Sequence, residues 1–178
     1  MSSRLYCAFN SAAPGAAAPG SQATGTAIRT LLQLATATTG MFTVIEVGIS
    51  FDGFTAATPG KFELIASTAG PVTSLTAHVA ADIARQGGAS LSGAATGVAT
   101  TLQLGTALSG YNVAGAAAEV TPTNPRLDDF QLVPPTAPYV KQFPAEFGPQ
   151  VGVSEFMRAR LTNTVAVNCI TYIIFSGD

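Results

Sequence analysis

The sequence predicts an all-β protein, built as a two-sheet antiparallel β-sandwich of jelly-roll type with an extended N-terminal arm and long irregular loops. Apolar residues alternate with other residues in about eight separate segments, the pattern of β-strands. Turn signals rich in glycine, proline, asparagine and aspartate separate these segments. No segment carries a convincing amphipathic-helix pattern. With 178 residues, the chain is long enough for one domain with a sizeable core.

The clearest strand is 42–51. Ile45, Val47 and Ile49 fall on one parity and give this strand a wholly apolar face, while the other face is mixed. The best partner for it is 165–175, where both parities are rich in apolar residues. We therefore expect these two strands to pair in the inner part of one sheet, with 165–175 covered on both sides.

The other strand segments also show alternation. In chain order they are 4–10, 26–36, 61–67, 129–133 and 156–161. In the last of them Met157, Ala159 and Leu161 form one face, and two arginines lie on the other. This is the alternation of a half-buried antiparallel strand.

Segment 72–86 fits two structures. Leu75, Val79 and Ile83 have the i, i+4, i+8 spacing of a helix, but the same residues also fit strand alternation. Because the rest of the chain consists of strands, we predict a strand here.

Three stretches lack clear periodicity. Residues 87–118 are rich in glycine, alanine and threonine, so they either hold short strands or wrap over a neighbouring chain. Residues 119–127 and 133–149 are rich in proline, and we expect them to be extended on the surface.

These segments define the domain organisation. Residues 1–25 are predicted to form an N-terminal strand and an arm, and residues 26–178 a single β-sandwich domain. The arm, 11–25, is rich in alanine, proline and glycine and has no large apolar side chains. It is either a flexible linker or an arm that binds a partner.

The composition restricts the partners. Charged residues make up 10% of the chain, against about 25% in typical soluble domains. The surface is therefore either in a membrane or largely covered by protein partners. A membrane helix needs about 18 continuous apolar residues, and the longest apolar runs of this chain are shorter, so we expect no membrane. Basic residues are scattered and the net charge is −2, so we expect no nucleic acid.

The N-terminus and the cysteines bear on location. The first ten residues, MSSRLYCAFN, lack the apolar core of a signal peptide, so we expect synthesis and folding in the host cytoplasm. Cys7 and Cys169 have no disulfide-framework or metal-ligand spacing, and we predict buried free thiols.

Catalytic groupings are difficult to assemble from this sequence. His78 is the only histidine, and on the strand interpretation it faces solvent or an interface. Asp128 and Asp129 are adjacent, so on an extended backbone they point to opposite faces and cannot act as a pair. No phosphate loop or cysteine–histidine cluster is present. We therefore predict no catalytic residues, no metal, no cofactor and no enzymatic activity.

Two groups of residues are candidates for a subunit interface. Arg158 and Arg160 share one strand face and could bind a carboxylate of a partner chain, or could form a solvated outer face. Tyr139, Phe143 and Phe147 lie close together in an irregular stretch. These aromatic residues either cap the core or anchor a subunit interface.

Several short motifs follow one another in a distinctive order across 42–178. They are 62–65 (FELI) with 67–70 (STAG), a Gly/Ala/Thr-rich middle, 119–122 (EVTP), 133–135 (VPP), 142–144 (QFP), 158–161 (RARL) and 165–175. In this order they resemble small structural proteins of tailed bacteriophage virions. The chain ends in IFSGD, which departs from the acidic ending that such proteins often have.

The resemblance implies a jelly-roll sandwich that oligomerises and attaches to the virion. We therefore expect a capsid decoration (cement) protein that forms a homo-oligomer, with a trimer favoured, and binds the major capsid protein of the head shell. The alternative is a receptor- or glycan-binding module of a tail or fibre, although tryptophan, which often stacks on sugars, is absent.

Overall fold

A computed structural model describes residues 4–15, 18–53, 58–86, 101–144 and 146–177, and in this range the chain forms two antiparallel β-sheets around one main core. The strands are β1 (Arg4–Phe9), β2 (Gln22–Ala23), β3 (Ile28–Thr36), β4 (Phe42–Asp52), β5 (Gly60–Ser67), β6 (Thr76–Ala77), β7 (Ala84–Gln86), β8 (Leu102–Gln103), β9 (Gly110–Tyr111), β10 (Arg126–Val133), β11 (Tyr139–Gln142), β12 (Gln150–Val151), β13 (Phe156–Thr162) and β14 (Asn168–Gly177). Two short 3-10 helices span Ala80–Asp82 and Val113–Gly115. No helix in these ranges is long and apolar enough to cross a membrane.

The strand order confirms an all-β fold with two antiparallel sheets. Sheet A has the order β11-β4-β14-β1-β7, with β12 also paired to β4 and β2 to β14. Sheet B has the order β10-β5-β13-β3-β9-β6, with β8 also paired to β3. The jelly-roll type of this two-sheet fold stays a prediction.

The core lies between the inward faces of the two sheets. In sheet A the Phe175 ring lies 5.5 Å from the ring of Tyr6 and 5.0 Å from that of Phe42. In sheet B, Met157 and Leu161 are fully buried, as the alternation predicted. Apolar side chains from both sheets therefore remove each other from water, which is the main stabilising contribution.

The pairing of β4 with β14 is confirmed, with a register from Phe42 opposite Gly177 to Asp52 opposite Asn168. The apolar face predicted for β4 is only partly correct. A register shift between Ile174 and Phe175 interrupts the alternation, so the fully buried side chain is Val44, whereas Ile45 is half-buried.

The expectation that β14 is covered on both sides is only partly confirmed in the described chain. Its inward side chains are buried, but Ile170, Tyr172 and Ile174 on the other side are only half-buried. Part of this side is therefore in contact with solvent.

Segment 72–86 is neither a continuous strand nor an α-helix, so the strand prediction is wrong for most of it. It contains β6, a 3-10 helix and β7. His78 does not face solvent: it is 1% exposed, with its ring centroid 5.1 Å from that of Tyr111. Its neighbour Val79 is the exposed residue, at 59%.

Short strands also occur where the sequence shows little periodicity. The described part of 87–118 contains β8 and β9, which agrees with one of the two alternatives, and residues 87–100 lie outside the described residues. The stretch 133–149 contains β11, and β10 begins at Arg126 rather than at 129.

The arm is attached to its own sandwich. The backbone N–H of Ala13 donates to Oδ1 of Asp82 over 2.6 Å, and the Ser21 hydroxyl donates to Oδ2 of Asp52 over 2.6 Å. Further along, β2 pairs with β14. These contacts give the arm a fixed course where it is described. The two cysteines, Cys7 and Cys169, are free and buried, as predicted.

The burial of His78 gives a pH prediction. Burial lowers the pKa of His78 below its usual 6.5, and the Asp82 carboxylate, 3.6 Å from Nδ1, opposes this shift only in part. The unfolded chain therefore binds a proton at a higher pH than the folded chain does. The free energy of unfolding is expected to fall as the pH drops from about 6.5 toward the lower pKa of the folded state.

Urea unfolding at pH 7.5 and pH 5 measures this fall. The variant His78→Phe keeps an aromatic ring against Tyr111 but cannot take up the proton, so its stability should depend less on pH in this window. If the free energy of unfolding falls equally between pH 7.5 and pH 5 in the variant and the native protein, His78 is not the responsible group.

Candidate interaction surface

Outward-facing side chains of β1, β4, β11 and β14 form one apolar surface, which we call the outer face of sheet A. Its members are Leu5, Phe9, Gly48, Val140, Ile170, Tyr172 and Ile174. They alternate along their strands with side chains that point into the core, as Phe9 does with the fully buried Ala8. Leu5 and Phe9 are each 38% exposed, and Val140 is 52% exposed. Large apolar side chains of a sheet face are therefore left in contact with solvent.

An aromatic pair occupies the middle of this face. Phe9 lies opposite Tyr172 on the neighbouring strand, and their ring centroids are 5.8 Å apart. On the other side of Tyr172 lies Gly48, where a Cβ would overlap the tyrosine ring. Glycine in an inner strand weakens the sheet, but here it allows the ring of Tyr172 to lie against the backbone of β4.

Three polar side chains of this face, those of Glu46, Gln142 and Tyr172, are bonded to one another. Glu46 accepts a hydrogen bond from the Tyr172 hydroxyl over 2.5 Å and another from Nε2 of Gln142 over 2.7 Å. Burial and the bond to Glu46 both raise the pKa of Tyr172. Burial and the Glu46 charge raise the pKa of Cys7 to about 12. The phenol and the thiol therefore stay protonated at neutral pH.

A groove continues the outer face of sheet A toward the arm. It has a volume of about 660 Å³, and Phe9 and Ile170 form part of its wall. The rest of the wall comes from Ser11, Ala12, Ala13, Pro14, Pro19, Ala81, Asp82 and Ala84. The two carboxylate oxygens of Asp82 accept bonds from the backbone N–H groups of Ala13 and Val79. The groove is therefore lined mainly by small apolar groups.

Arg158 and Arg160 lie on sheet B, and their carboxylate partners belong to this chain. Arg158 is fully buried, with Nη1 3.2 Å from Oε1 of Glu119. It also donates to the carbonyls of Val120 and Gly70. Arg160 pairs with Glu63 over 2.7 Å and with Glu119 over 3.4 Å. The carboxylate that these arginines could have bound on a partner chain is thus supplied internally, and the alternative of a solvated face is wrong for Arg158.

Glu119 is the centre of this polar cluster. In the sequence it stands out only as the first residue of the 119–122 motif, and nothing there indicates an ion pair. The Glu119 carboxylate contacts both arginines. It also accepts hydrogen bonds from the backbone N–H of Thr30 over 2.8 Å and from the Thr30 hydroxyl. Burial lowers the pKa of Arg158, and the Glu119 charge opposes that shift. Because Glu119 lies in an irregular stretch, no periodicity connects it with β3 or β13.

Of the three aromatic candidates, two cap the core and one faces solvent. The Tyr139 ring lies 5.9 Å from that of Phe62, and its hydroxyl donates to Oδ2 of Asp129 over 2.6 Å. Phe143 is half-buried against the core. Phe147 is 80% exposed, so it is free to contact a partner. The cap alternative therefore applies to Tyr139 and Phe143, and the interface alternative stays a prediction for Phe147.

The fold and this surface together define a two-sheet β-protein with an apolar outer face. No protein-family model and no curated protein matches the chain. Two solved structures of VP2 of infectious bursal disease virus show a weak likeness. One is a mutant VP2 in derived T=1 particles, 13% identical, which covers 98% of this chain and 39% of that chain at a TM-score of 0.21. The other is a VP2 subviral particle, 11% identical, with coverages of 98% and 39% and a TM-score of 0.19. The chain thus spans well under half of either VP2 chain, and scores this low define no function.

Proposed function

We propose that the protein is a non-enzymatic structural protein of a virion, specifically a capsid decoration protein that forms a homo-oligomer and binds the major capsid protein of the head shell. The observation that carries this proposal is the outer face of sheet A. It presents large apolar side chains to solvent on a rigid sheet, and such patches mark sites of protein association. A trimer is the oligomer expected from the sequence resemblance.

The chemistry of the face suits association with protein. Tyrosine and phenylalanine are the residue types enriched at interface cores, and charged residues are depleted there. Glu46 already accepts bonds from Tyr172 and Gln142. Covering the face would therefore remove apolar area from water without leaving the Tyr172 hydroxyl unpaired.

The proposal includes a jelly-roll topology, which the strand pairing supports. Eight strands have four or more residues: β1, β3, β4, β5, β10, β11, β13 and β14. Among them the first pairs with the eighth, the second with the seventh, the third with the sixth and the fourth with the fifth. A jelly roll is such an antiparallel ribbon folded over into two sheets.

Analysis of purified virions tests the function. The protein is expected in the particles at a fixed ratio to the major capsid protein, and its absence from them would overturn the proposal.

Light scattering of the purified full chain is expected to show the mass of a trimer.

A charge placed on the outer face of sheet A tests the surface. Phe9→Asp is expected to lower binding to undecorated head shells at least tenfold, because a carboxylate would be buried against apolar groups. Val113→Asp is the control, since Val113 is 42% exposed and lies outside this face. Thermal unfolding shows whether both variants are folded. Equal loss of binding in the two folded variants would exclude the outer face of sheet A as the contact.

A receptor- or glycan-binding module is a second candidate, favoured by one observation. The aromatic pair Phe9 and Tyr172 lies beside the amide of Gln142 and the carboxylate of Glu46, and rings next to polar groups suit the apolar and hydroxyl faces of a sugar. Specific binding on a glycan array that Tyr172→Ala abolishes would favour this candidate over the decoration protein.

A further inference from the structure

Strand β10 is an edge strand with one free side. It pairs with β5 from Arg126 opposite Ala66 to Val133 opposite Gly60. It is the terminal strand of sheet B, and within the described ranges no strand pairs with its other side. Its outward N–H and C=O groups can therefore pair with another extended strand.

The side chains of β10 are unusually apolar for an exposed edge. Leu127 is 58% exposed, Phe130 46% and Leu132 62%. Phe130 and Leu132 lie opposite Glu63 and Lys61, on the outer side of sheet B. Natural edge strands prevent pairing with charged side chains, lysine above all, with proline or with β-bulges. The strand RLDDFQLV has no lysine or proline, and its charges Arg126, Asp128 and Asp129 all lie in its first half.

Only the second half of β10 has the regular geometry that pairing needs. The first half contains a register shift between Leu127 and Asp129. Asp129 is held by the Tyr139 hydroxyl. The regular run is therefore 129–133, and its other four residues carry no charge.

We propose that β10 pairs with β10 of a second copy of this chain, antiparallel about a two-fold axis at Gln131. In this register Phe130 lies opposite Leu132 of the second copy, and Leu132 opposite its Phe130, all on the same side of the sheet. Asp129 lies opposite Val133, so no like charges oppose each other, and the register shift stays outside the paired region. The two copies of sheet B become one continuous sheet.

The self-complementarity of the strand is the reason for choosing a second copy as the partner. A two-fold contact uses the same patch on both copies, and this patch places apolar side chains against apolar side chains twice. Five paired residues in each copy bury less than a standard interface of about 1,600 Å². We therefore expect a weak dimer that forms at high protein concentration. The contact is separate from the outer face of sheet A, so it can hold or fail independently of the proposed function.

Disulfide trapping of the full chain tests the register. Residues opposite each other in antiparallel strands have Cα atoms about 4.5–5.5 Å apart, within the range of a disulfide. Gln131→Cys is therefore expected to give a covalent dimer under mild oxidation. Thr136→Cys, an exposed position just beyond β10, is the matched control and should give no covalent dimer. The native thiols are buried and should not react. No dimer from Gln131→Cys, or equal dimer from both variants, would overturn the proposal.

A second substitution distinguishes strand pairing from random collision. Adding Leu132→Lys to Gln131→Cys is expected to reduce the trapped dimer at least tenfold, because the ammonium group would lie against Phe130 of the second copy. Adding Val153→Lys, at an exposed valine outside β10, should leave trapping unchanged. If Leu132→Lys leaves the trapping unchanged, a second copy does not occupy this edge. The same conclusion follows if Gln131→Cys is trapped only to the major capsid protein on head shells.

Discussion

Replacing Glu119 by alanine is expected to lower the free energy of unfolding by about 3–5 kcal/mol, the usual cost of removing one partner from a buried ion pair. Arg158 is fully buried, and its guanidinium has Glu119 as its carboxylate partner, 3.2 Å away. The same carboxylate accepts the backbone N–H of Thr30. Without Glu119, the buried guanidinium keeps its carbonyl acceptors but loses its negative partner, and the Thr30 N–H loses its acceptor.

Urea unfolding of Glu119→Ala measures this loss, and Asp128→Ala is the matched control. Asp128 also pairs with an arginine, Arg126, over 2.7 Å, but the Arg126 side chain is 52% exposed. Solvent screens that pair, so its removal is expected to cost under about 1 kcal/mol. Similar losses for the two variants would show that the cluster around Glu119 is not a buried charge network.

Replacing Phe175 by alanine is expected to lower the free energy of unfolding by about 3–5 kcal/mol. Its ring is fully buried between the rings of Tyr6 and Phe42. The three residues come from three different strands of sheet A, β14, β1 and β4. Removing the ring loses the favourable free energy of its transfer from water into the core. It also leaves a cavity that rigid strands cannot close.

The same substitution at Phe147 is the control. Phe147 is 80% exposed, so Phe147→Ala is expected to change stability by no more than about 0.5 kcal/mol. Thermal or urea unfolding of the two variants gives the comparison. A loss at Phe147 as large as that at Phe175 would mean that the residue packs against another chain in the state measured.

Much of the fold could be predicted from local alternation. The pairing of β4 with β14 and the buried face of β13 follow from side chains that repeat every two residues. The same reasoning was wrong for His78, because 72–86 breaks into short pieces, one of which packs the histidine against Tyr111. It was also incomplete for β4, where a register shift makes Val44 the buried residue in place of Ile45.

The sequence indicated only part of the outer face of sheet A. Ile170, Tyr172 and Ile174 on the second parity of β14 indicated that this side is covered. In the structure the described chain leaves these side chains only half-buried. Phe9 and Val140 join it because their strands flank the inner pair, a neighbourhood that no local pattern encodes.

The sequence by itself determined the class of fold, the approximate positions of the long strands and much of the core, because alternation and turn residues act over a few positions along the chain. The tertiary structure alone decided which polar groups are buried together and which apolar groups remain exposed. Arg158 and Glu119 are 39 residues apart in the chain, and Thr30 and Glu119 are 89 apart. Their contact depends on how strands and loops pack across the sheet. The burial of Arg158 and the partial exposure of the outward side chains of β14 depend on the same packing.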